Sequence, residues 1–262
     1  MNMQRIVLIA QRYFFSRFLK FEDLIDFVFW PLLDIMIWGG VGLVLSKNGQ
    51  SPQQLQLSIL TVVMMRVYLY SYFNNSTNFL YEMMARNIIN LFAAPLTFNE
   101  WFCGAMLSGC IQTILLLVFA TVVSWFIFGI YLLQMGLALL LFIIPLLILG
   151  WAISSLSIAV LMHFGVHAQR LVWVFGWLSV PFSGAYYSLS IMPVWIQSVA
   201  QVVPMNYIFE ALRIFVLEGR FSMPHLVYGY SLAVVYFIIT IIACNLMFER
   251  SRRLGLASLE RA

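Results

Sequence analysis

Long apolar stretches separated by short polar breaks run through the chain, and the spacing of the breaks sets the expected architecture. The apolar runs cover residues 24–45, 57–80, 101–128, 135–162, 171–189 and 225–248. About 20 apolar residues are needed for a helix to cross a ~30 Å hydrocarbon core, and each run reaches or nearly matches that length. Six membrane-spanning helices are expected. The loop over residues 47–56 is polar, residues 129–134 allow only a tight turn, and Pro145 predicts a kink inside the fourth span.

Two segments depart from this pattern. Within residues 1–21, Val7, Phe14, Phe18 and Phe21 recur at helical spacing while Arg5, Arg12 and Ser16 gather opposite. That amphipathicity predicts a helix lying in the membrane interface, apolar face in acyl chains and arginines at headgroups. A cytoplasmic helix packed on a partner would show the same pattern. Near the other end, residues 194–203 are too few to span, and Pro204 separates them from residues 205–217. The second piece covers only about 20 Å at 1.5 Å per residue. Starting at Pro193 and carrying Glu210 and Arg213, the two pieces predict a re-entrant hairpin on the outer side, before the last span.

Composition agrees with a lipid environment. The 262 residues are 63% hydrophobic and 9% charged, against roughly 45–50% and 25% in soluble domains. A net charge of +4 from 14 basic and 10 acidic residues would suggest nucleic acid in a soluble protein; here its placement excludes that reading. Arg5, Arg12, Arg17 and Lys20 precede the first span, and Arg250, Arg252, Arg253 and Arg261 follow the last. With Arg86 and Arg170, ten of the 14 basic residues fall on one side, which the positive-inside rule makes cytoplasmic for both termini. Three regions are expected: the amphipathic helix 1–21, the membrane domain 22–248 and a basic cytoplasmic tail 249–262. Cys103, Cys110 and Cys244 lie in apolar runs without CxxC or Cys/His spacing and read as packing residues. No secretory leader is expected at the N-terminus.

Between the second and third spans, residues 81–99 predict an amphipathic helix on the inner side. Glu82 and Arg86 are four apart in the order that favours a helical ion pair, and Ala94-Pro95-Leu96 closes the segment. The run Glu82, Arg86, Leu91, Ala94-Pro95-Leu96-Thr97 and Glu100 resembles the inner loop of type-2 ABC exporter permeases. So does the stretch Pro181-Phe182-Ser183-Gly184, Tyr187, Pro193-Val194-Trp195, Pro204, Tyr207, Glu210 and Arg213 near the outer side. The order of elements carries the likeness along the whole chain, as in permeases of polysaccharide, Nod-factor and drug exporters. The resemblance implies a multi-pass protein of the bacterial cytoplasmic membrane, acting as a homodimer (in some members a heterodimer) on two ABC ATPase subunits. It also implies that residues 81–97 form the coupling helix docking on the ATPase, with Glu82, Arg86, Leu91, Ala94, Pro95 and Leu96 in contact. The chain holds no GxxxxGK[ST] phosphate loop, so ATP and Mg are expected on the partner and no cofactor here.

Within the spans, Asp34 and Arg66 fall near mid-depth on adjacent helices and are expected to pair. The pair either fixes the packing of the first two spans or places Arg66 on the conduit. Asn74, Asn75, Ser76, Thr77 and Asn78 make a polar cluster in the second span, for interhelical hydrogen bonds or a polar path. Tyr68, Tyr70, Tyr72, Tyr186 and Tyr187 serve either as packing aromatics or as stacking surfaces for a sugar-bearing cargo. Gly150 and Ser154 form a small-xxx-small pair for close helix approach. His163 and His167 have i,i+4 spacing, but Phe164 stands where a zinc protease carries Glu, and no metal site is expected. A secondary transporter would show an internal repeat and a mid-depth ion site; an intramembrane enzyme would show clustered catalytic groups. The reading is an ATP-driven permease exporting an amphipathic or hydrophobic cargo: lipid-linked glycan, lipid or drug.

Overall fold

The computed structural model describes residues 2–47 and 53–254. Part of the expected 47–56 loop and residues 255–262 of the expected tail, with Arg261, therefore lie outside the described residues.

The described chain is helical, and no strand occurs in it. Helix α1 spans Met3–Phe18, capped by the Asn2 side chain, which accepts from the Gln4 amide. Helix α2 (Phe21–Lys47) carries Glu22 and Asp23 in its first turn, where carboxylates suit the positive end of the helix dipole. Helix α3 runs 32 residues, Gln53–Met84. A six-residue helix, α4 (Ile88–Ala93), leads into α5 (Phe98–Phe128). Thr97 and Glu100 start α5 with a reciprocal capping box, and Gly129 ends it in the left-handed conformation. Then follow α6 (Ala138–Phe164), α7 (Gln169–Leu178), α8 (Val194–Ala200), α9 (Pro204–Glu218) and α10 (Met223–Leu254).

Five of these helices are long and apolar enough to cross a membrane: α2, α3, α5, α6 and α10. Helices α8 and α9, bent by 95° at the break before Pro204, make a sixth candidate if taken together. Pro204 occupies the first turn of α9, where a missing N–H leaves no bond unmade. The fifth expected span departs most from its sequence pattern. Helix α7 has ten residues, about 15 Å of rise, half the thickness of a hydrocarbon core. It gives way to a 3₁₀ turn, Val180–Phe182, because Pro181 has no amide to continue the ladder and disfavours helix in the residue before it.

Helix α3 is the axis of the bundle. Of its apolar window 78% is buried, against 22% for α2 and 17% for α10. It packs against α2, α5, α6 and α9, so most of its polar residues face protein. Close approach of α6 depends on Gly150: a Cβ there would stand 2.6 Å from Ser71 Oγ and 2.9 Å from the Tyr68 carbonyl oxygen. Ser154, one turn on, is fully buried. Large apolar side chains point outward from α2, α5 and α10, among them Phe29, Ile37, Trp125, Phe126 and Ile239. Such a surface is stable only against lipid or another apolar face.

Helix α1 packs on the start of α5 through Ile6, Ile9, Ala10 and Tyr13. This is not the stripe that its amphipathic pattern predicts. Val7 and Phe21 are exposed, while Phe14 and Phe18 are half-buried. The cause is Gly104 on α5, where a Cβ would meet Ile9 Cγ2 at 2.6 Å and the Ile6 carbonyl oxygen at 2.9 Å. The missing side chain lets α1 seat its 6–9–13 face there.

Candidate functional site

The segment between α3 and α5 is built as a turn, a short helix and a second turn rather than the single helix expected over residues 81–99. Helix α3 stops at Met84, and Arg86 takes φ +53, a left-handed conformation rare outside glycine. The reversal turns Arg86 out to solvent and leaves Glu82 inside. The expected Glu82–Arg86 pair therefore does not form. Four-residue spacing aligns two side chains only while the helix continues, and here it ends between them.

Glu82 is bonded to another part of the chain. Arg12 Nη2 donates to its Oε1 at 2.5 Å, Tyr13 Oη donates to the same oxygen at 3.1 Å, and Asn87 Nδ2 donates to Oε2 at 2.5 Å. Trp101 Nε1 in turn donates to Tyr13 Oη at 2.5 Å. A buried carboxylate needs this many partners, because an unanswered one costs several kcal/mol. Burial, with Glu82 beside it, holds the Tyr13 phenol well above its ordinary pKa, so it remains a donor.

A second carboxylate closes the other end of the segment. Glu100 accepts from the Asn2 amide at 2.7 Å and the Thr97 amide at 3.0 Å, with Arg5 Nη1 at 3.6 Å. Thus α1 is fastened at two points, one on each side of residues 85–97. Between them a groove of about 450 Å³ opens, with Leu8 and Arg12 on one wall and Asn90, Leu91, Pro95 and Leu96 on the other. Leu91 is buried and Leu96 half-buried, whereas Ala94 and Pro95 are exposed. Of the residues expected to touch a partner, Arg86, Ala94 and Pro95 offer surface. Glu82 does not, and Leu91 reaches only the wall of the groove.

The interior site centres on Asp34 and Arg66. Arg66 Nε donates to Asp34 Oδ2, and the Arg66 and Asp34 side chains keep only 12% and 20% of their surface exposed. The Arg66 guanidinium also lies 5.8 Å from the centre of the Trp30 ring. The pair borders a cavity of about 570 Å³ that opens between α1, α2, α3 and α7. Of the polar cluster on α3, Thr77 and Asn78 reach this cavity, while Asn74 does not. Asn74 Nδ2 donates to the Ala105 carbonyl at 2.7 Å, and Gln112 Nε2 donates to Asn74 Oδ1 at 3.0 Å, joining α3 to α5.

The tyrosines divide. Tyr68 and Tyr72 are fully buried and cannot meet a cargo; Tyr72 Oη bonds Ser157 Oγ at 2.8 Å, and Ser179 donates to Tyr68 Oη at 3.0 Å. Tyr70 lines the cavity. Tyr186 stacks on Trp38, ring centres 4.5 Å apart, and Tyr187 Oη donates to the Pro181 carbonyl at 2.6 Å. At the bent α8–α9 pair Arg213 pairs with Glu210 and donates to the Gly184 carbonyl at 2.7 Å, tying α9 to the loop after α7. Pro193 N-caps α8.

His163 and His167 are both exposed, and Gly165, at φ +71, interrupts the helix between them. Among the described residues no group of three His, Cys, Asp or Glu side chains could hold a metal ion.

Several residues at these sites carry no sequence signal of their own. Arg12 and Tyr13 look like any basic and aromatic residue of an amphipathic helix. Arg17 and Lys20 read as basic charge before the first span, and Asp23, Asp26, Trp173 and Trp177 stand in no pattern that marks a site.

The family profile described as ABC-2 type transporter matches residues 9–217. That interval takes in most of α1, the fastened segment, the cavity and all but the last residue of α9. No curated protein matches the chain.

Proposed function

Since the chain belongs to the ABC-2 type transporter family, the membrane permease of an ABC transporter, we propose that it drives an amphipathic or hydrophobic cargo out of the cytoplasm. In this reading a homodimer sits in the bacterial cytoplasmic membrane with both termini inside. Two ATPase subunits, holding ATP and Mg, dock against the groove formed by α1 and the segment around α4. Glu82 and Glu100 make α1 and that segment one body, so a push on Ala94 or Pro95 is felt by α1, α3 and α5 together. Interlocked side chains convey force between packed elements without local yielding.

The observation that carries the proposal is the double fastening of α1 to the inner segment by two buried carboxylates. A surface loop without partner duties has no need of it. Placing an arginine at the exposed contact tests the docking site: Ala94→Arg with Pro95→Ala should abolish co-purification of the ATPase subunit and permease-stimulated ATP hydrolysis. The variant should keep the size-exclusion profile of the parent. Normal stimulation in a well-folded variant would place the ATPase elsewhere. Labelling from the outer side of a cysteine at position 94 would reverse the orientation and overturn the proposal.

A further inference from the structure

We infer that the cavity between α1, α2, α3 and α7 is a binding site for a zwitterionic amphiphile, a ligand whose head carries a phosphodiester and an ammonium group. This deepens the export reading above by naming a class of cargo, and its binding can be measured without transport.

The charges around the cavity decide the class. Arg17 and Lys20, from the end of α1 and the turn after it, face the cavity together with Asp23 and Asp26 from the first turns of α2. Among the described residues none of these four forms an ion pair; Asp34 and Arg66, deeper in, are already paired with each other. Arg17 lies 5.8 Å from the centre of the Tyr70 ring and Lys20 lies 5.9 Å from that of Tyr81. The Nε of Arg17 is buried with no hydrogen-bond partner.

Each simpler ligand leaves something unanswered. An anion would be drawn to Arg17 and Lys20 and repelled by Asp23 and Asp26, while a cation would meet the converse. A neutral apolar molecule would leave the Arg17 donor buried and unmade, which is unfavourable. A zwitterion answers both signs. Its phosphate suits Arg17, whose planar fork binds such oxygens through paired hydrogen bonds, with Lys20 as a second cation. Its ammonium suits the carboxylates of Asp23 and Asp26.

Ser16, Thr77 and Asn78 add polar groups to the lining, and its apolar part comes from Leu69 and Phe73 on α3 and Trp173 and Trp177 on α7. Both tryptophans are exposed on the side of the bundle, giving an acyl chain a way out toward lipid. A volume of about 570 Å³ falls within the usual ~300–1,000 Å³ of small-ligand pockets. It accommodates a headgroup and the first part of a chain, with the remainder outside.

The test uses the full-length protein in detergent without its ATPase partner, so that failure of binding and failure of coupling are separate results. Retention of lysophosphatidylethanolamine, lysophosphatidylglycerol and water-soluble glycerophosphoethanolamine would be compared by native mass spectrometry. The zwitterionic lysolipid should bind at least tenfold more tightly than the anionic one. Arg17→Gln, and Asp23→Asn with Asp26→Asn, should each weaken it about tenfold, as should Lys20→Gln, an exposed site where folding is not at risk. Equal binding of the anionic lysolipid would overturn the zwitterion. Unchanged binding in well-folded Arg17→Gln and Lys20→Gln variants would overturn the site. Equal binding of the soluble compound would overturn the acyl part and make the ligand a soluble zwitterion.

Discussion

Arg12 and Glu82 are 70 positions apart in the chain, and Arg12 Nη2 stands 2.5 Å from Glu82 Oε1. The two ends of this contact are unequal: the Glu82 side chain is almost wholly buried, whereas Arg12 keeps 44% of its side-chain surface. Removing Arg12 leaves a buried carboxylate short of its cation, while removing Glu82 lets Arg12 return to water. Arg12→Ala is therefore expected to destabilise the seat of α1 by about 1–3 kcal/mol. Faster amide exchange across residues 3–18, with α6 and α10 unchanged, is the measurement that checks it.

Gly104 separates the seat of α1 from its ion pairs. With Ile9 Cγ2 2.6 Å and the Ile6 carbonyl 2.9 Å from the position of an added Cβ, Gly104→Val forces α1 off α5. Overpacking of this kind typically costs ~1–3 kcal/mol. Stimulated ATP hydrolysis should fall at least tenfold while the protein still inserts and elutes at its normal position. Gly40, where an added Cβ meets nothing within 4 Å, supplies the control: Gly40→Ala should leave hydrolysis unchanged.

The long helices were legible because an apolar run of sufficient length has few alternatives in lipid. Helices α2, α3, α5, α6 and α10 follow the runs to within a few residues, and Pro204 marks the bend between α8 and α9. Local rules misled where the chain stops obeying them. Glu82 and Arg86 have the spacing of a helical pair, but the helix ends at Met84, and the true partner of Glu82 comes from α1. Residues 171–189 are apolar enough to span, yet Pro181 breaks them after ten helical residues. Tyr68 and Tyr72 are no different in pattern from Tyr70. Only the packing of α3 on several sides determines that two are buried and one opens to a cavity.

The Asp34–Arg66 pair is largely buried at both ends. Breaking a buried ion pair from one side typically costs ~3–5 kcal/mol, and less here, because the side chains retain 20% and 12% of their surface. Asp34→Asn and Arg66→Gln should each lower the melting temperature of the detergent-solubilised protein by several degrees. Exchanging the two, Asp34→Arg with Arg66→Asp, should recover most of the loss. Recovered stability without recovered transport would put Arg66 on the path of the cargo.

On α9, Arg213 joins Glu210 of its own helix to the Gly184 carbonyl on the loop after α7. Arg213→Lys keeps the charge but not the fork, so the loop should come free while Glu210 stays paired. Limited proteolysis is expected to cut within residues 184–193 severalfold faster in Arg213→Lys, and faster still in Arg213→Ala.

Because α3 is enclosed by neighbouring helices for most of its length, it has no independent freedom to roll or slide. Its C-terminal end runs straight into the turn held by Glu82. A displacement delivered at that turn must therefore shift the neighbouring helices in concert, as a shaft turns the wheels keyed to it. In the proposed transport cycle that makes one collective stroke, which loosening the packing along α3 should uncouple without touching either end.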